Sequence, residues 1–439
     1  MHLQLVPWLI KATLSVTLTR MCSSSTLNAI SDADKIVSLP GQPEVSFGQY
    51  AGYITMDEKQ QRALFYYFAE AKADLASNPL VLWLRGGPGC SSIGVGAFCE
   101  HGPFKTSGDL LLKNYYSWNK EANMLYLESP AGVVSDNVAF LRNWFEKFPG
   151  YQERDLFIIG ELCSSMNAEF LLYLISLLPG HYVPQLAKLI VQSKLLNLKG
   201  IVQILCLLHM GNPLLKYNTN FNSRAEFFWS HGLISDATYE SFNTLCNVSE
   251  ALREISKFIG TYDVTLDVGL STVSSQSTVL NKLRETEKID VCIEDETIKY
   301  LNRKEVQEVL HARLVRVSTW TVVRYGFQNY EVPTFTILAE LVKSGIPILV
   351  YSGDQDSAIP LLGARTLLHN LAKQLGLNKT VPYRVWFEQK QVAERTQVYG
   401  DILSYATIRG RSLVLFSSLL GGRPLPEGPL AESAVEKHN

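Results

Sequence analysis

The sequence has no excess of charge of either sign. Its 40 Lys and Arg residues nearly balance 42 Asp and Glu residues, which gives a formal net charge of −2. Proteins that bind nucleic acid usually carry a clustered positive charge, so a nucleic-acid partner is not expected. Apolar residues make up 46% of the 439 positions. That fraction is enough for a large core and excludes a disordered or coiled-coil chain.

Signatures of metal binding and of membrane insertion are also absent from the sequence. The seven cysteines form no Cys-x-x-Cys pair, so neither a zinc site nor a thioredoxin-like motif is indicated. We expect no metal and no other cofactor. After the N-terminal segment there is no run of about 18 uninterrupted apolar residues, so no membrane span is expected.

Residues 1–30 resemble a targeting segment. Their apolar run ends in a Ser-rich stretch, which is typical of a secretory signal peptide. Lys11 interrupts the run and Arg20 lies near its end, so a transit peptide is the alternative. N-x-Ser/Thr sequons at Asn247 and Asn378 are weak additional support for a glycosylated, secreted chain. The expected location is secreted, vacuolar or lysosomal.

Apolar runs alternate with helical patterns from about residue 45. Residues 47–56 and 63–71 are rich in aromatic side chains and predict a pair of strands. Residues 136–148 have apolar side chains at helical spacing. Four short apolar runs predict buried strands, at 79–87, 123–130, 155–161 and 345–356. This alternation predicts an α/β protein with a mostly parallel sheet between helices, and chemistry at the carboxyl ends of its strands.

Two further segments differ from the α/β pattern. Residues 212–330 are mixed helical and polar with little strand pattern, which predicts a helical cap inserted into a domain that spans residues 40–425. The chain becomes rich in Gly and Pro after about residue 421. Such a composition predicts a disordered tail over residues 426–439.

A series of segments matches one protein family in order and in spacing. They are GGPGCSS (86–92), EHGPF (100–104), NMLYLESPAGV (123–133), GE (160–161), GHYVPQLA (180–187), GNPLL (211–215), YLNRKEVQEVLHA (300–312), VYSGDQDSAIP (350–360) and VYGDILSYATIRG (398–410). On these segments the chain resembles the serine carboxypeptidases, and most closely the serine carboxypeptidase-like proteins of plants. The resemblance implies an α/β-hydrolase fold with a helical insertion. It also implies removal of C-terminal residues from peptides at acidic pH by Ser, Asp and His, in that chain order.

The resemblance assigns roles to individual positions. Asp356, the second Asp of GDQDS, corresponds to the acid that orients the catalytic His. Gly86 and Gly87 correspond to the oxyanion hole. Glu100 and Glu161 correspond to an acidic pair that hydrogen-bonds the terminal carboxylate of a peptide, the expected partner. A carboxyl group donates such a bond only when it is protonated, which suits acidic pH.

Two features that concern covalent and quaternary structure also follow from the resemblance alone. The family positions of Cys90 and Cys292 imply a disulfide between them, which would close a long loop. The alternative is a pair of buried free thiols. A homodimer is one assembly that the resemblance leaves open.

The segment that should carry the nucleophile is interrupted. The family pattern GESYAGHYVPQLA is split here, because residues 162–179 separate GE from GHYVPQLA. Leu162 stands where the family has its Ser, which must lie on a sharp strand-to-helix turn. Ser164 is the nearest candidate, but two residues along a helix rotate a side chain by roughly 200°. Cys163 has no evident base beside it. We expect the insert to lie outside the native sheet packing.

The base and the carboxylate site also depart from the family pattern. The family His that follows ATIRG is missing, since residues 406–410 run directly into RSLVLF. None of the eight histidines occupies its place. Arg85 replaces an Asn that binds the substrate carboxylate in the family. An Arg can form a bidentate pair with a bound carboxylate, or it can pair with Glu161 instead.

These breaks are abrupt, and the segments beside them stay close to the family. We interpret the losses and apolar inserts as missing exons and translated introns. The sequence therefore predicts a serine carboxypeptidase family member that does not turn over substrate. The alternatives are a non-catalytic homologue that binds a peptide or partner, and a related acyltransferase that transfers acyl groups from glucose esters. The acyltransferase needs the same triad.

Overall fold

The protein is described by a computed structural model. The described residues are 32–59, 62–73, 77–85, 91–129, 134–161, 179–193, 205–211, 215–245, 264–265, 293–312, 334–357, 359–388, 390–408 and 413–428. Residues 1–31, which include the predicted targeting segment, lie outside them, as do residues 429–439 and all of the predicted insert at 162–179 except Pro179.

A large twisted sheet forms the centre of the fold. The strands are, in chain order, β1 (Lys35–Ile36), β2 (Gln49–Asp57), β3 (Arg62–Ala69), β4 (Leu80–Arg85), β5 (Phe104–Ser107), β6 (Leu110–Lys113), β7 (Asn123–Glu128), β8 (Leu156–Glu161), β9 (Leu205–Gly211), β10 (Ile348–Gly353), β11 (Lys379–Glu388), β12 (Gln391–Tyr399) and β13 (Leu403–Ile408). Eleven of them form one sheet in the order β1-β2-β3-β7-β4-β8-β9-β10-β13-β12-β11, and β5 pairs with β6. The strands from β7 to β13 in that order are parallel, and the outer strands are antiparallel.

Helices cover both faces of the sheet. They are α1 (Ser92–Glu100), α2 (Val134–Lys147), α3 (Pro179–Gln192), α4 (Tyr217–Ser230), α5 (Asp236–Leu245), α6 (Ile293–Leu301), α7 (Lys304–Val309), α8 (Thr334–Lys343), α9 (Leu361–Gln374) and α10 (Leu413–Leu420). This arrangement confirms the predicted α/β architecture. Parallel strands are apolar throughout because helices bury both of their faces, and every residue of β4 is buried.

Each face of the sheet has its own core. On one face, Trp144 of α2, Val183 of α3 and Leu367 of α9 belong to a single apolar cluster with the sheet. On the other face, Phe98 of α1 and Tyr300 of α6 pack with the sheet in a second cluster. Burial of large side chains such as these contributes about 1.5–3 kcal/mol each to stability. The two clusters hold the strands, and so the ends of the strands, in a fixed relation.

The region predicted to be a cap divides into two parts. In α4 and α5, Phe227, Phe228 and Phe242 form a small cluster of their own. In contrast, α6 and α7 pack directly on the sheet, where Tyr300 and Val306 are buried in the second core. The first part therefore resembles an inserted cap, while residues 293–312 belong to the main domain. The exact limits of the insertion stay a prediction.

The expectation of a disordered tail over residues 426–439 is wrong at the start of that range, because the chain packs against β11 as far as Pro426. Leu425 is buried, and its carbonyl oxygen accepts a hydrogen bond of 2.8 Å from Arg384. The backbone N–H of Phe387 donates to the carbonyl oxygen of Pro426 at 3.1 Å. A composition rich in Gly and Pro weakens regular structure, but it does not prevent an extended segment from packing along an edge strand. Among the described helices, none combines the length and the apolar character that crossing a membrane requires.

Candidate active site

Polar side chains meet at the carboxyl edge of the parallel strands, as the sequence predicted. Arg85 is the last residue of β4 and Glu161 is the last residue of β8, and the two are direct neighbours in the sheet. The same row continues through Gly211 on β9 to Tyr351 on β10. Three side chains from three strands therefore project from one row at this edge.

A buried ion pair joins Arg85 to Glu100, the last residue of α1. The Nη1 atom of Arg85 contacts Oε1 of Glu100, with 3% of the Arg85 side chain and 18% of the Glu100 side chain exposed. Among the described residues, Oε2 of Glu100 is buried and has no hydrogen-bond partner. The sequence left a bound carboxylate or Glu161 as partners of Arg85. The structure instead pairs Arg85 with Glu100, which α1 carries back over the end of β4.

The surroundings of the Glu161 carboxyl raise its pKa. Burial, and then the charge of Glu100, raise the pKa of Glu161 from its ordinary value of 4.5 to about 7. The Arg85 charge and a hydrogen bond from Tyr351 act in the opposite direction, and the charge of Asp356 adds to the increase. Glu161 is therefore protonated, and able to donate a hydrogen bond, at acidic pH.

Tyr351 reaches Glu161 across an intervening strand. Its hydroxyl donates to Oε2 of Glu161 at 3.4 Å, although β9 lies between their strands. The β9 residue in that row is Gly211, which has no side chain to stand between the two groups. Burial raises the pKa of Tyr351 well above its ordinary value. The phenol thus stays neutral and serves as a donor over the whole physiological pH range.

Asp356 lies three residues after the end of β10 and is buried. Its Oδ1 atom accepts a hydrogen bond of 3.3 Å from the backbone N–H of Ile359. Arg224, a buried side chain of α4, donates to the carbonyl oxygen of the next residue, Ser357, at 3.2 Å. These contacts fix the loop that carries Asp356 and tie it to α4.

The cluster is suited to binding a carboxylate. A protonated Glu161 offers a donor, Glu100 stays charge-compensated by Arg85, and Tyr351 orients Glu161. Charge-assisted hydrogen bonds of this kind are stronger than neutral ones. Within the described part of the chain, no group of three His, Cys, Asp or Glu side chains is arranged to hold a metal ion.

We predict that Glu161→Gln removes a pH-dependent loss of folding stability. Folded Glu161 holds its proton up to about pH 7, whereas an unfolded carboxyl releases it near 4.5. The unfolded state therefore loses the proton first, and stability falls as pH rises through that window. Glutamine does not titrate and keeps an oxygen that accepts from Tyr351. We expect urea unfolding between pH 4.5 and about 7 to show that the stability of the variant, relative to that of the parent, increases as pH rises. A constant difference in stability over that range would contradict the raised pKa of Glu161.

Several sequence-predicted residues cannot be placed in this geometry. Four of the predicted positions, Arg85, Glu100, Glu161 and Asp356, lie at the carboxyl edge, and the charges of the other three act on Glu161. The Asn378 side chain is exposed between α9 and β11, and its glycosylation stays a prediction. The remaining predicted positions lie outside the described residues: Gly86, Gly87, Cys90, Ser164, Asn247 and Cys292. The Cys90–Cys292 disulfide is therefore also still a prediction.

Sequence reasoning missed Tyr351 and Gly211 as parts of the site. Both stand in matched segments, VYSGDQDSAIP and GNPLL, but neither has a polar pattern that marks it. Their relation depends on β9 lying between β8 and β10, which no local signal reveals. Only the strand order brings a phenol and a carboxyl two strands apart into contact.

Comparisons with known proteins agree with this fold and show the family of the chain. The family model described as serine carboxypeptidase matches residues 40–412. Serine carboxypeptidase-like 45 of Arabidopsis thaliana is 51% identical over 91% of this chain and 95% of its own length. Serine carboxypeptidase-like 46 of the same plant is 49% identical over 95% of this chain and 98% of its own.

A solved structure with the same fold is Kex1(delta)p, a prohormone-processing carboxypeptidase from Saccharomyces cerevisiae. It has a TM-score of 0.67 and 21% identity, and the match covers 90% of this chain and 94% of that one. This likeness confirms the predicted α/β-hydrolase fold. Together with the family match and the Arabidopsis relatives, it leads to one conclusion: the chain belongs to the serine carboxypeptidase family.

Proposed function

We propose that this chain binds the C-terminal carboxylate of peptides and does not hydrolyse them. The observation that carries the proposal is the contrast between two parts of the site. The acidic cluster of Arg85, Glu100 and Glu161 is assembled at the sheet edge. The segment that should bring the catalytic base to Asp356 has no histidine.

The proposed binding mode uses the proton of Glu161. Below about pH 7 the Glu161 carboxyl donates a hydrogen bond to one oxygen of the ligand carboxylate. Above that pH Glu161 is ionised as well, and its negative charge repels the carboxylate of the ligand. Arg85 compensates the charge of Glu100 through their ion pair. Glu161 is then the donor whose protonation depends on pH.

The missing base is the reason for the proposed lack of turnover. β13 ends at Ile408 and α10 begins at Leu413, and the four residues between them, RGRS, contain no His. A serine hydroxyl is a weak nucleophile unless a base takes its proton. Four histidines have described side chains, and each contacts a residue other than Asp356: His101 stacks on Trp118, His231 contacts the carbonyl of Phe227, His311 the carbonyl of Ala51 and His369 the hydroxyl of Tyr399.

Two other functions for this site need a group that the chain does not supply. An active carboxypeptidase and a glucose-ester acyltransferase both require an activated Ser, and both therefore need the missing base. Members of this family are commonly secreted or vacuolar, and we propose the same destination here. Binding of a peptide terminus at acidic pH fits such a compartment.

Calorimetry with a matched pair of ligands tests the proposal. A blocked dipeptide with a free C-terminal carboxylate should bind at about pH 5, and at least about tenfold more weakly at about pH 8. The C-terminal amide of the same dipeptide should bind more weakly at both values. In Glu161→Gln the side-chain amide donates at every pH, so the pH dependence should disappear. Equal affinity of the parent chain for acid and amide at both pH values would refute the proposal.

A further inference from the structure

A carboxyl group outside the acidic cluster is bonded to the helix that carries Glu100. Glu128 is the last residue of β7, the strand beside β4 in the sheet. Its Oε1 atom accepts a hydrogen bond of 2.5 Å from the Ser91 hydroxyl and one of 2.8 Å from the backbone N–H of Ile93. Both donors belong to the N-terminal turn of α1. A carboxyl from a neighbouring strand therefore caps this helix.

Glu128 supplies a hydrogen-bond acceptor at the N-terminus of α1, where the helix has N–H groups without partners within the helix. The positive end of a helix favours a negative charge, and its first N–H groups need acceptors. The first turn of α1 contains no acidic residue. Ser91 is the N-cap, and its hydroxyl accepts a hydrogen bond of 2.6 Å from the backbone N–H of Gly94. Glu128 supplies an acceptor from outside the helix. Burial has the largest effect and raises the pKa of Glu128 above its ordinary value of 4.5, while hydrogen bonds from the Ser91 side chain and from the backbone of Ile93 and Ser92 oppose the increase.

Both ends of α1 are tied to Arg85. Near the first end, the Ser92 hydroxyl accepts a hydrogen bond of 2.8 Å from the backbone N–H of Arg85. At the last residue, Glu100 forms the ion pair with the Arg85 guanidinium. α1 is a π-helix, and at its end the N–H of His101 donates to the carbonyl of Gly96, five residues earlier, at 3.1 Å. A shift of the first turn therefore changes the position of Glu100 relative to Arg85.

We propose that Glu128 is a positioning residue, which holds α1 and thereby places Glu100 against Arg85 in the carboxylate site. Its significance for ligand binding rests on the proposed function. The placement of Glu100 by α1 does not depend on that function and can be tested without a ligand. The charge of Glu100 helps to raise the pKa of Glu161, so that pKa reports where Glu100 lies.

The test is the titration of Glu161 by NMR in full-length protein labelled at glutamate carboxyl carbons. In Glu128→Ala the helix loses its external cap, Glu100 moves away, and the pKa of Glu161 should fall from about 7 towards 4.5. In Glu128→Gln the amide oxygen accepts the same two bonds, so the pKa of Glu161 should stay near that of the parent. If Glu128→Ala does not fold, Ser91→Ala, which removes one of the two donors, is judged by the same shift.

A matched control separates positioning from general stability. Glu70 accepts the same two kinds of bond, from the Tyr151 hydroxyl at 2.8 Å and from the N–H of Gly48 at 3.0 Å. It follows β3, which is antiparallel to β7 with Ala69 opposite Met124, so it lies at the opposite edge of the sheet. Glu70→Ala should lower the melting temperature and leave the titration of Glu161 unchanged.

Two results would overturn the inference. One is an unchanged pKa of Glu161 in the alanine variant, and the other is an equal shift in Glu70→Ala. Calorimetry with the acid and amide ligands distinguishes failure of the positioning role of Glu128 from failure of the proposed function. If the parent chain binds acid and amide equally, the proposed function is wrong, while the titration still decides the role of Glu128. If the parent discriminates, the discrimination should fall by at least about tenfold in Glu128→Ala and persist in Glu128→Gln.

Discussion

The chain is expected to release no amino acid from a blocked dipeptide at about pH 5, with activity about 10⁴- to 10⁶-fold below that of a repaired chain. In the repaired chain, Ser-Tyr-Ala replaces residues 162–179 and the family's His segment follows Gly410. The physical reason is that Asp356 acts on a serine only through a histidine between them. Without that base, neither Ser164 nor any other hydroxyl loses its proton at a useful rate.

Two controls make the turnover experiment decisive. Alanine in place of the restored serine should abolish the activity of the repaired chain, which shows that the activity comes from the triad. Activity of the repaired chain would also mean that Asp356 and the sheet edge are competent. Turnover by the unrepaired chain that Ser164→Ala abolishes would contradict the account of the interrupted nucleophile segment.

The second large effect is expected from Arg85→Met. This change leaves Glu100 and Glu161 in a buried site without their cation. Removal of one partner of a buried ion pair costs about 3–5 kcal/mol of folding free energy, because the other charge stays buried without compensation. The loss should be full at about pH 8 and smaller at about pH 5, where Glu161 is protonated and carries no charge.

The matched control for Arg85 is an exposed arginine. Arg62 pairs with Asp136 at 2.7 Å, with 43% of the Arg62 side chain and 10% of the Asp136 side chain exposed. Arg62→Met should cost less than Arg85→Met, because solvent reaches this pair and screens it. In the double variant Arg85→Met, Glu100→Gln, both charges of the buried pair are removed. Most of the folding stability that Arg85→Met loses should then return. Urea unfolding of the four proteins at both pH values measures these differences. A loss in Arg85→Met no larger than that in Arg62→Met would contradict the buried ion pair.

The elements that the sequence predicted are those with strong local patterns. The apolar runs at 79–87, 123–130, 155–161 and 345–356 became β4, β7, β8 and β10, because burial on both faces demands continuous apolar residues. The positions of Arg85 and Glu161 followed from these strands, since parallel strands end at one edge. This part of the site could therefore be predicted.

The elements that the sequence did not predict depend on distant partners. Most residues of β11 are exposed or only partly buried, so this edge strand has no clear apolar alternation and contains Pro382 in its interior. Tyr351 and Glu161 meet because of the strand order, and Arg85 meets Glu100 because α1 turns back over its own strand. Such contacts join positions that are far apart along the chain, and no local pattern encodes them.

The central claim is that this chain has no activated serine, and covalent labelling measures that property most directly. A serine-directed fluorophosphonate reacts with a hydroxyl that a base has activated, and intact-mass spectrometry counts the adducts. The account predicts no adduct on the chain at about pH 5 or about pH 8, and one adduct on the repaired chain at its restored serine. A stoichiometric adduct on the unrepaired chain, mapped to Ser164 or to any other serine, would contradict it.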